Sequence, residues 1–409
     1  MTYPESIDWL YSTQLFGMKL GLERPKRLLR EFLAYPPPRT RVIHVAGTNG
    51  KGSTCALIDS VARAAGLRTG LFTSPHLVHY GERIQVSGTK IEEDEIARHL
   101  TALRRHVADW DPHPTFFELT LALAMTHFAA SHCELLILET GMGGRLDATS
   151  AVPADLAVLT PVALDHQQWL GDTLAEIAAE KAAIIRPGKP ALSSPQEAAA
   201  RTVIAQTANE QRAPLEWIEE PLRGYGIGIA GDHQSLNAAL AVTALHAIGV
   251  PLNYDVVRTG LANVRWPGRF EILPAPSADP SGPDLVLDVA HNPAAAKALA
   301  ANWRRRFPST KARLIFGNLS TKDTAGILDH LLPLAAEALL VPINSPRSIP
   351  PDDLLELLPA GHPPVCTCDT VIDALKRPSR HPTLVTGSAF LVGEVKAILE
   401  RAHHMASSQ

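Results

Sequence analysis

"HVAGTNGKGSTCALI", His44–Ile58, places Gly47, Gly50, Lys51 and Gly52 between two apolar runs, with Ser53 and Thr54 close behind. Glycine supplies backbone conformations that other residues avoid. The run Arg41–Ala46 before these glycines reads as a buried strand, and the stretch Thr54–Ala65 after them as a helix ending near Gly66. Strand, glycine turn and helix N-terminus together make an anion site, because unpaired backbone N–H groups and the helix dipole converge there. Lys51 adds a point charge, and Ser53 or Thr54 a hydroxyl suited to a phosphate-bound Mg²⁺. The spacing departs from the usual phosphate loop, since only Thr48 and Asn49 separate Gly47 from Gly50, and Gly52 intervenes before Ser53. A nucleoside triphosphate is the expected guest; the competing reading is a glycine-rich βα turn carrying a solvated lysine.

The rest of the chain bounds this reading. Its 409 residues imply two domains, and 45% apolar with 20% charged residues is the composition of a globular enzyme. A net charge of −4 gives no electrostatic case for nucleic acid or an anionic membrane as partner. No apolar stretch approaches a bilayer span, and the opening MTYPESIDWL lacks the layout of a signal peptide. Cys55, Cys133, Cys366 and Cys368 are too few for a disulfide framework, and the C-x-C pair lacks a second cluster for zinc. Reduced thiols and a cytoplasmic location are expected.

Strand candidates Arg41–Ala46, Leu67–Thr73, Glu134–Glu139, Leu156–Pro161 and Ala191–Ser193 alternate with helical stretches near 54–65, 92–109, 115–131 and 173–185. That alternation predicts a mostly parallel sheet covered by helices on both faces. Helices over Ser235–Ile248 and near 254–262 follow. "LPAPSADPSGPD", Leu273–Asp284, reads as a linker. Alternation then resumes with strands at Leu285–Val289, Leu314–Phe316, Leu339–Ile343 and Thr383–Thr386. The fold class is therefore α/β, with an ATPase-like domain over 1–273 and a smaller Rossmann-like domain over 274–409.

Ligands of open α/β sheets bind beyond the carboxyl ends of the strands. Glu139 opens "ETGMGGRLDAT" and His166 lies in "PVALDHQQWLGD", each at such an end. A carboxylate and an imidazole there can complete the coordination of a phosphate-bound metal, although Mg²⁺ prefers oxygen. "LFTSPHLVHYGERI", Leu71–Ile84, reads as a packed surface loop. In "VLDVAHNPAAAKAL", Asn292 and Pro293 suit a helix start, which leaves Asp288 and His291 unexplained at another strand end. Arg269 in "RWPGRFE" is suited to a phosphate.

In this order, "HVAGTNGKGST", "TSPHLVHYGERI", "TFFELTLALA", "GGRLDAT", "GDHQSLNAA", "WPGRFE", "DVAHNP" and "TGSAFL" resemble the folylpolyglutamate synthase and dihydrofolate synthase family, within the amide ligases that include the Mur enzymes. The resemblance spans about residues 14 to 392. It implies ATP-dependent formation of an amide, through an acyl phosphate, between a folate or dihydropteroate carboxylate and L-glutamate. It further implies that Gly47, Thr48, Asn49, Gly50, Lys51, Gly52 and Ser53 hold ATP, with Asn237, Arg269 and Asp288 as further nucleotide contacts. Ser53, Ser74, Glu139 and His166 are then the Mg²⁺ ligands. Lys51, Lys181, Asp288 and His291 serve catalysis, His291 on the glutamate side. Leu20, Gly21, Phe116, Phe117, Arg145 and Asp147 lie on the folate side, and a monomer is expected. Three features depart from the family pattern: Ser150 where Asn is common, a short stretch from Pro195 to Asp232, and Lys19 where dihydrofolate-forming members often carry an acid.

In "TLAEIAAEKAAII", Leu174, Ile177, Ala178 and Ile185 form the buried stripe of a helix, and Lys181 falls on it. A buried lysine must be paired, deprotonated or chemically altered, unless its stem carries the charge outward. The resemblance implies a carbamate on Lys181. Two other readings remain open: a Mur-type ligase, for which about forty residues before the loop leave no uridine-nucleotide domain, and a nucleotide switch, which leaves the Asp288–His291 cluster unexplained.

Overall fold

Arg41–Ala46 forms the central strand, β1, buried at every position but its first. Such continuous burial is what a parallel strand covered on both faces requires. Val42 joins one core with Phe72, Leu119, Leu123, Phe128, Leu136 and Leu138. Ile43 and Val45 point the opposite way, into a core shared with Leu57, Ile58, Val61, Leu240 and Leu261. This computed structural model describes residues 1–16, 21–32, 35–273 and 283–402.

The remaining strands of the first sheet are β2 (Thr69–Phe72), β3 (Ile84–Val86), β4 (Thr89–Lys90), β5 (Leu135–Glu139), β6 (Leu156–Leu159), β7 (Ala191–Ser193) and β8 (Leu215–Trp217). Their order is β4-β3-β2-β5-β1-β6-β7-β8. Pairing is parallel except at the β2–β3 and β3–β4 contacts. The connection from β1 runs to one side, through β2, while β6 lies on its other flank. The carboxyl end of β1 therefore opens at a topological switch point, where open α/β sheets bind ligands. The helix Lys51–Ala64 leaves this point and packs against the helices His233–Ala247 and Tyr254–Asn263. Close approach is possible because Gly260 has no side chain; a Cβ there would lie 2.5 Å from the Val61 Cα.

A second sheet comprises β9 (Glu271–Leu273), β10 (Leu285–Leu287), β11 (Ala312–Phe316), β12 (Ala335–Leu340), β13 (Val365–Thr367) and β14 (Thr383–Thr386). The order is β13-β12-β11-β14-β10-β9, parallel save for β9 against β10. The α/β class and two-sheet organisation match the sequence expectation. Glu271–Leu273, at the end of the first expected domain, pairs antiparallel with Leu285–Leu287 in the second sheet. Three-residue strands such as β8, β9 and β13, and the β3–β4 hairpin, carry too short a pattern to be read from sequence.

"LFTSPHLVHYGERI" is packed, but it is not a surface loop. His76, Tyr80 and Arg83 are buried, and the Glu82 carboxylate accepts from the backbone N–H groups of Leu77 (2.8 Å), Val78 (3.2 Å) and His79 (2.9 Å). A carboxylate that satisfies three amides lets the segment turn inward without orphaned donors.

Candidate active site

The loop after β1 takes its shape from two glycines. Gly47 has φ +150°, and a Cβ there would fall 1.9 Å from Thr160 Oγ1 at the end of β6. Gly50 is left-handed, φ +88°, and caps the helix Lys51–Ala64. The backbone N–H groups of Thr48 and Asn49 donate to the Pro161 carbonyl, at 2.9 and 3.1 Å, and Thr48 Oγ1 bonds to Ala163. The loop is thus tied to the segment after β6. Lys51 reaches back to the Thr48 carbonyl at 3.3 Å. Asn237 stands against Gly50, with its Oδ1 at 3.2 Å from where a Cβ would be. Ser53 is buried in the helix's first turn.

At the neighbouring end of β5, Glu139 is buried and accepts from the Ser74 backbone N–H at 3.2 Å. Burial pushes its carboxyl pKa up, against the charge of Lys51. The Ser74 hydroxyl is buried with no hydrogen-bond partner. A desolvated carboxylate beside an unpartnered hydroxyl is the donor set a hard divalent cation takes. His166, left-handed at φ +53°, caps the short helix Gln167–Leu170 and is 42% exposed at the cleft. The structure therefore brings Ser74 and Glu139 into contact and sets His166 on the segment bonded to the phosphate loop.

Lys181 does not carry its charge outward. It is buried, and its Nζ donates to the Gly47 carbonyl at 2.9 Å. Burial, reinforced by Lys51, lowers its amine to about 7.

From the second domain, Asp288 follows β10 and accepts from the backbone N–H groups of Phe270 (2.8 Å) and Ala290 (2.9 Å). Both its oxygens are engaged, so it fixes the turn that carries Arg269. His291 Nδ1 lies 2.9 Å from the Val289 carbonyl, which leaves Nε2 facing Asp165 Oδ2 at 3.5 Å. Asn292 and Asn49 exchange side-chain hydrogen bonds across the cleft, at 3.0 and 3.4 Å.

Sequence reasoning missed Asp165 and Lys322. Lys322 Nζ lies 2.6 Å from Asp165 Oδ1, with both side chains under 10% exposed. Asp165 thereby faces His166 on its own domain and both His291 and Lys322 on the other. Burial opposes its ionisation, yet His291 and Lys322 outweigh that and hold the carboxyl well below the usual range. The signal was available: Lys322 lies beyond the carboxyl end of β11, the same position that singled out His166.

Of the residues expected on the folate side, Phe116 is buried edge-on to Tyr11, ring centroids 5.3 Å apart, and Phe117 packs over Gly141, whose Cβ would meet its ring at 2.6 Å. Asp147 is buried and turned inward, accepting from the backbone N–H groups of Gly141 (2.9 Å), Met142 (3.0 Å) and Thr149 (3.0 Å). Arg145 is exposed and bonded twice to Glu180, at 2.9 and 2.7 Å. These contacts give Asp147 and Arg145 positions in the loop frame. Gly21 has φ +150° with open space around it, and Leu20 lies outside the described residues.

The chain matches the Mur ligase middle domain over residues 45–213 and the Mur ligase glutamate ligase domain over 268–385. It is 31% identical to the dihydrofolate synthase/folylpolyglutamate synthase of Bacillus subtilis, over 97% of this chain and 99% of that protein. E. coli FolC, solved with DHPP and ADP, superposes with a TM-score of 0.85 at 32% identity, covering 97% of this chain and 98% of the other. A bifunctional folylpolyglutamate synthase/dihydrofolate synthase with Mn, AMPPNP and L-glutamate bound gives 0.84 at 33%, covering 97% and 98%. Two sheets meeting at a glycine-rich loop, a buried carboxylate beside an unpartnered hydroxyl and matches along nearly the whole length lead to one assignment: the chain belongs to the dihydrofolate synthase/folylpolyglutamate synthase family of Mur-type ligases, which use ATP and a divalent metal to form an amide with glutamate.

Proposed function

We propose that this chain transfers the γ-phosphoryl group of ATP to a carboxylate of tetrahydrofolate or dihydropteroate, and that the amine of L-glutamate then displaces phosphate to leave the amide. The observation that carries this reading is Asp165, where groups from both domains converge beside the phosphate loop. An acyl phosphate survives only where water is kept out, and a cleft held shut by a buried ion pair provides that.

In this reading Gly47–Ser53 cradle the triphosphate, with Asn237 against Gly50 and Arg269 on the far side. Ser53, Ser74, Glu139 and His166 hold Mg²⁺, which when bound neutralises charge on the transferred phosphoryl group. Lys51 adds its fixed charge to the same oxygens. His291 faces the incoming glutamate, and the frame built by Phe116, Phe117, Asp147 and Arg145 receives the pterin end. The first domain, through Phe270, binds ATP, and the second, from Glu271, binds glutamate.

Lys181 carries a carbamate in the active enzyme. An amine with pKa about 7 is substantially neutral near neutrality and can attack CO₂, forming an N–C bond and releasing one proton. The product is an anion, so Lys51, which repels the ammonium, attracts the carbamate. Because the cleft groups come from one chain, a monomer suffices, and the four free cysteines support a cytoplasmic location. Among the described residues no helix is long and apolar enough to cross a membrane, and a net charge of −4 does not favour nucleic acid.

The test is isotopic. With ¹⁸O in the pteroate or folate carboxylate, one label should appear in the inorganic phosphate per amide formed. Unlabelled phosphate alongside amide product would rule out the acyl phosphate.

A further inference from the structure

Glu95 and His99 lie one turn apart on the helix Glu93–His106, a spacing that stacks side chains on one face. His127 reaches the same point from the helix Phe116–Ala130, eleven residues (about 16 Å) along that helix from Phe116. Glu95 Oε2 is 3.6 Å from His99 Nε2 and 4.0 Å from His127 Nδ1, and the three ligand atoms all fall within 4.8 Å of one another. A tetrahedral ion with bonds of about 2.0–2.2 Å holds its ligands about 3.3–3.6 Å apart, so adjustments of under an ångström bring the two Glu95 pairs into range, and one of at most about 1.5 Å the histidine pair. His99 is 6% exposed and His127 15%, while Glu95, at 40%, opens the cluster to water.

A cation already occupies this point. The Arg98 guanidinium donates to Glu95 Oε2 at 2.5 Å and lies 3.1 Å from His99 Nε2. Arginine has only donors, so Nε2 presents a lone pair, the tautomer that ligates a metal. Burial holds both imidazoles neutral near pH 7, with His99 lowered to about 4. Arg98 is itself 59% exposed and can swing into solvent.

We propose that Glu95, His99 and His127 form a metal site separate from the cleft, taking a divalent transition-metal ion of the Zn²⁺ class with a fourth position open to water. Two imidazoles and one carboxylate suit zinc or cobalt and are a poor set for Mg²⁺, which demands oxygen. The ion displaces Arg98 and ties the two helices together.

Cobalt(II) titration of the untagged full chain, in excess Mg²⁺, tests this by the visible absorption of four-coordinate cobalt. One Co²⁺ per chain is expected, with a thermal midpoint raised by Zn²⁺. His127→Gln and Glu95→Gln, at less buried positions than His99, should each weaken binding more than about a hundredfold, beyond what loss of a supporting hydrogen bond costs. Arg98→Ala should tighten it, while Glu139→Gln and His166→Ala leave the spectrum unchanged. Unchanged ligase turnover in His127→Gln confirms a folded variant. Absence of stoichiometric cobalt, binding that persists in both Gln variants, or a spectrum lost only in the cleft variants would overturn the proposal.

Discussion

Lys181 donates through Nζ to the carbonyl of Gly47, 2.9 Å away, so a buried amine touches the first residue of the phosphate loop. Lys181→Ala is expected to lose most turnover and to recover part of it with added short carboxylates that stand in for the proposed carbamate. Wild-type activity should fall in CO₂-free buffer. Full activity of the variant in that buffer would remove the carbamate from the account.

The same amine shapes stability. Native Lys181 has a pKa of about 7 against an ordinary 10.5, so between those values the unfolded chain holds a proton that the native chain lacks. Stability then rises with pH across that window, and below about 7 the contribution is flat because both states are protonated. Urea midpoints of the CO₂-free protein, compared with Lys181→Met, should diverge in the wild type's favour from about pH 7 to 10. Parallel curves would contradict this.

Glu139 behaves in the opposite sense. Its carboxyl pKa is raised by burial, so the native state binds the extra proton, and stability contributed at low pH is lost as pH climbs past the ordinary carboxylate range. Glu139→Gln should therefore raise the thermal midpoint of the metal-free protein at neutral pH while cutting turnover by about 10²–10³-fold, the scale of losing one well-placed electrostatic group. A variant both less stable and fully active would refute the cation-site assignment.

Breaking the Asp165–Lys322 pair by Lys322→Met leaves a largely buried carboxylate short of its nearest partner. Such losses cost about 3–5 kcal/mol, here reduced by the remaining His291 contact. The double variant with Asp165→Asn should regain part of that loss, and a double-mutant cycle by chemical unfolding measures the coupling. Strict additivity would mean that the pair does not hold the domains.

Gly47→Ala should destabilise the loop by about 1–3 kcal/mol or more, because φ +150° strains an alanine and its Cβ would meet Thr160 Oγ1 at 1.9 Å. An unchanged thermal midpoint would show that β1 and β6 can part at no cost.

Much of this was legible from residue order. The long apolar runs of β1, β5 and β6 and the glycine cluster announce a parallel sheet with an anion site, since burial on both faces leaves no alternation to misread. Glu139 stood out as a carboxylate at a strand's carboxyl end and Lys181 as a lysine on a helix's apolar stripe, whereas Ser74 entered only through the family resemblance. The Asp165–Lys322 pair was not, because its partners lie 157 positions apart and only the packing of two domains joins them. Nor could the pattern show that Asp147 and Asp288 accept hydrogen bonds from backbone amides.

The most direct test supplies ATP, Mg²⁺ and L-glutamate with either tetrahydrofolate or dihydropteroate, and follows phosphate release alongside product mass. The account predicts acceptor-dependent phosphate release, equimolar with a product heavier by one glutamyl residue. Phosphate release that neither acceptor stimulates, with no glutamylated product, would contradict it.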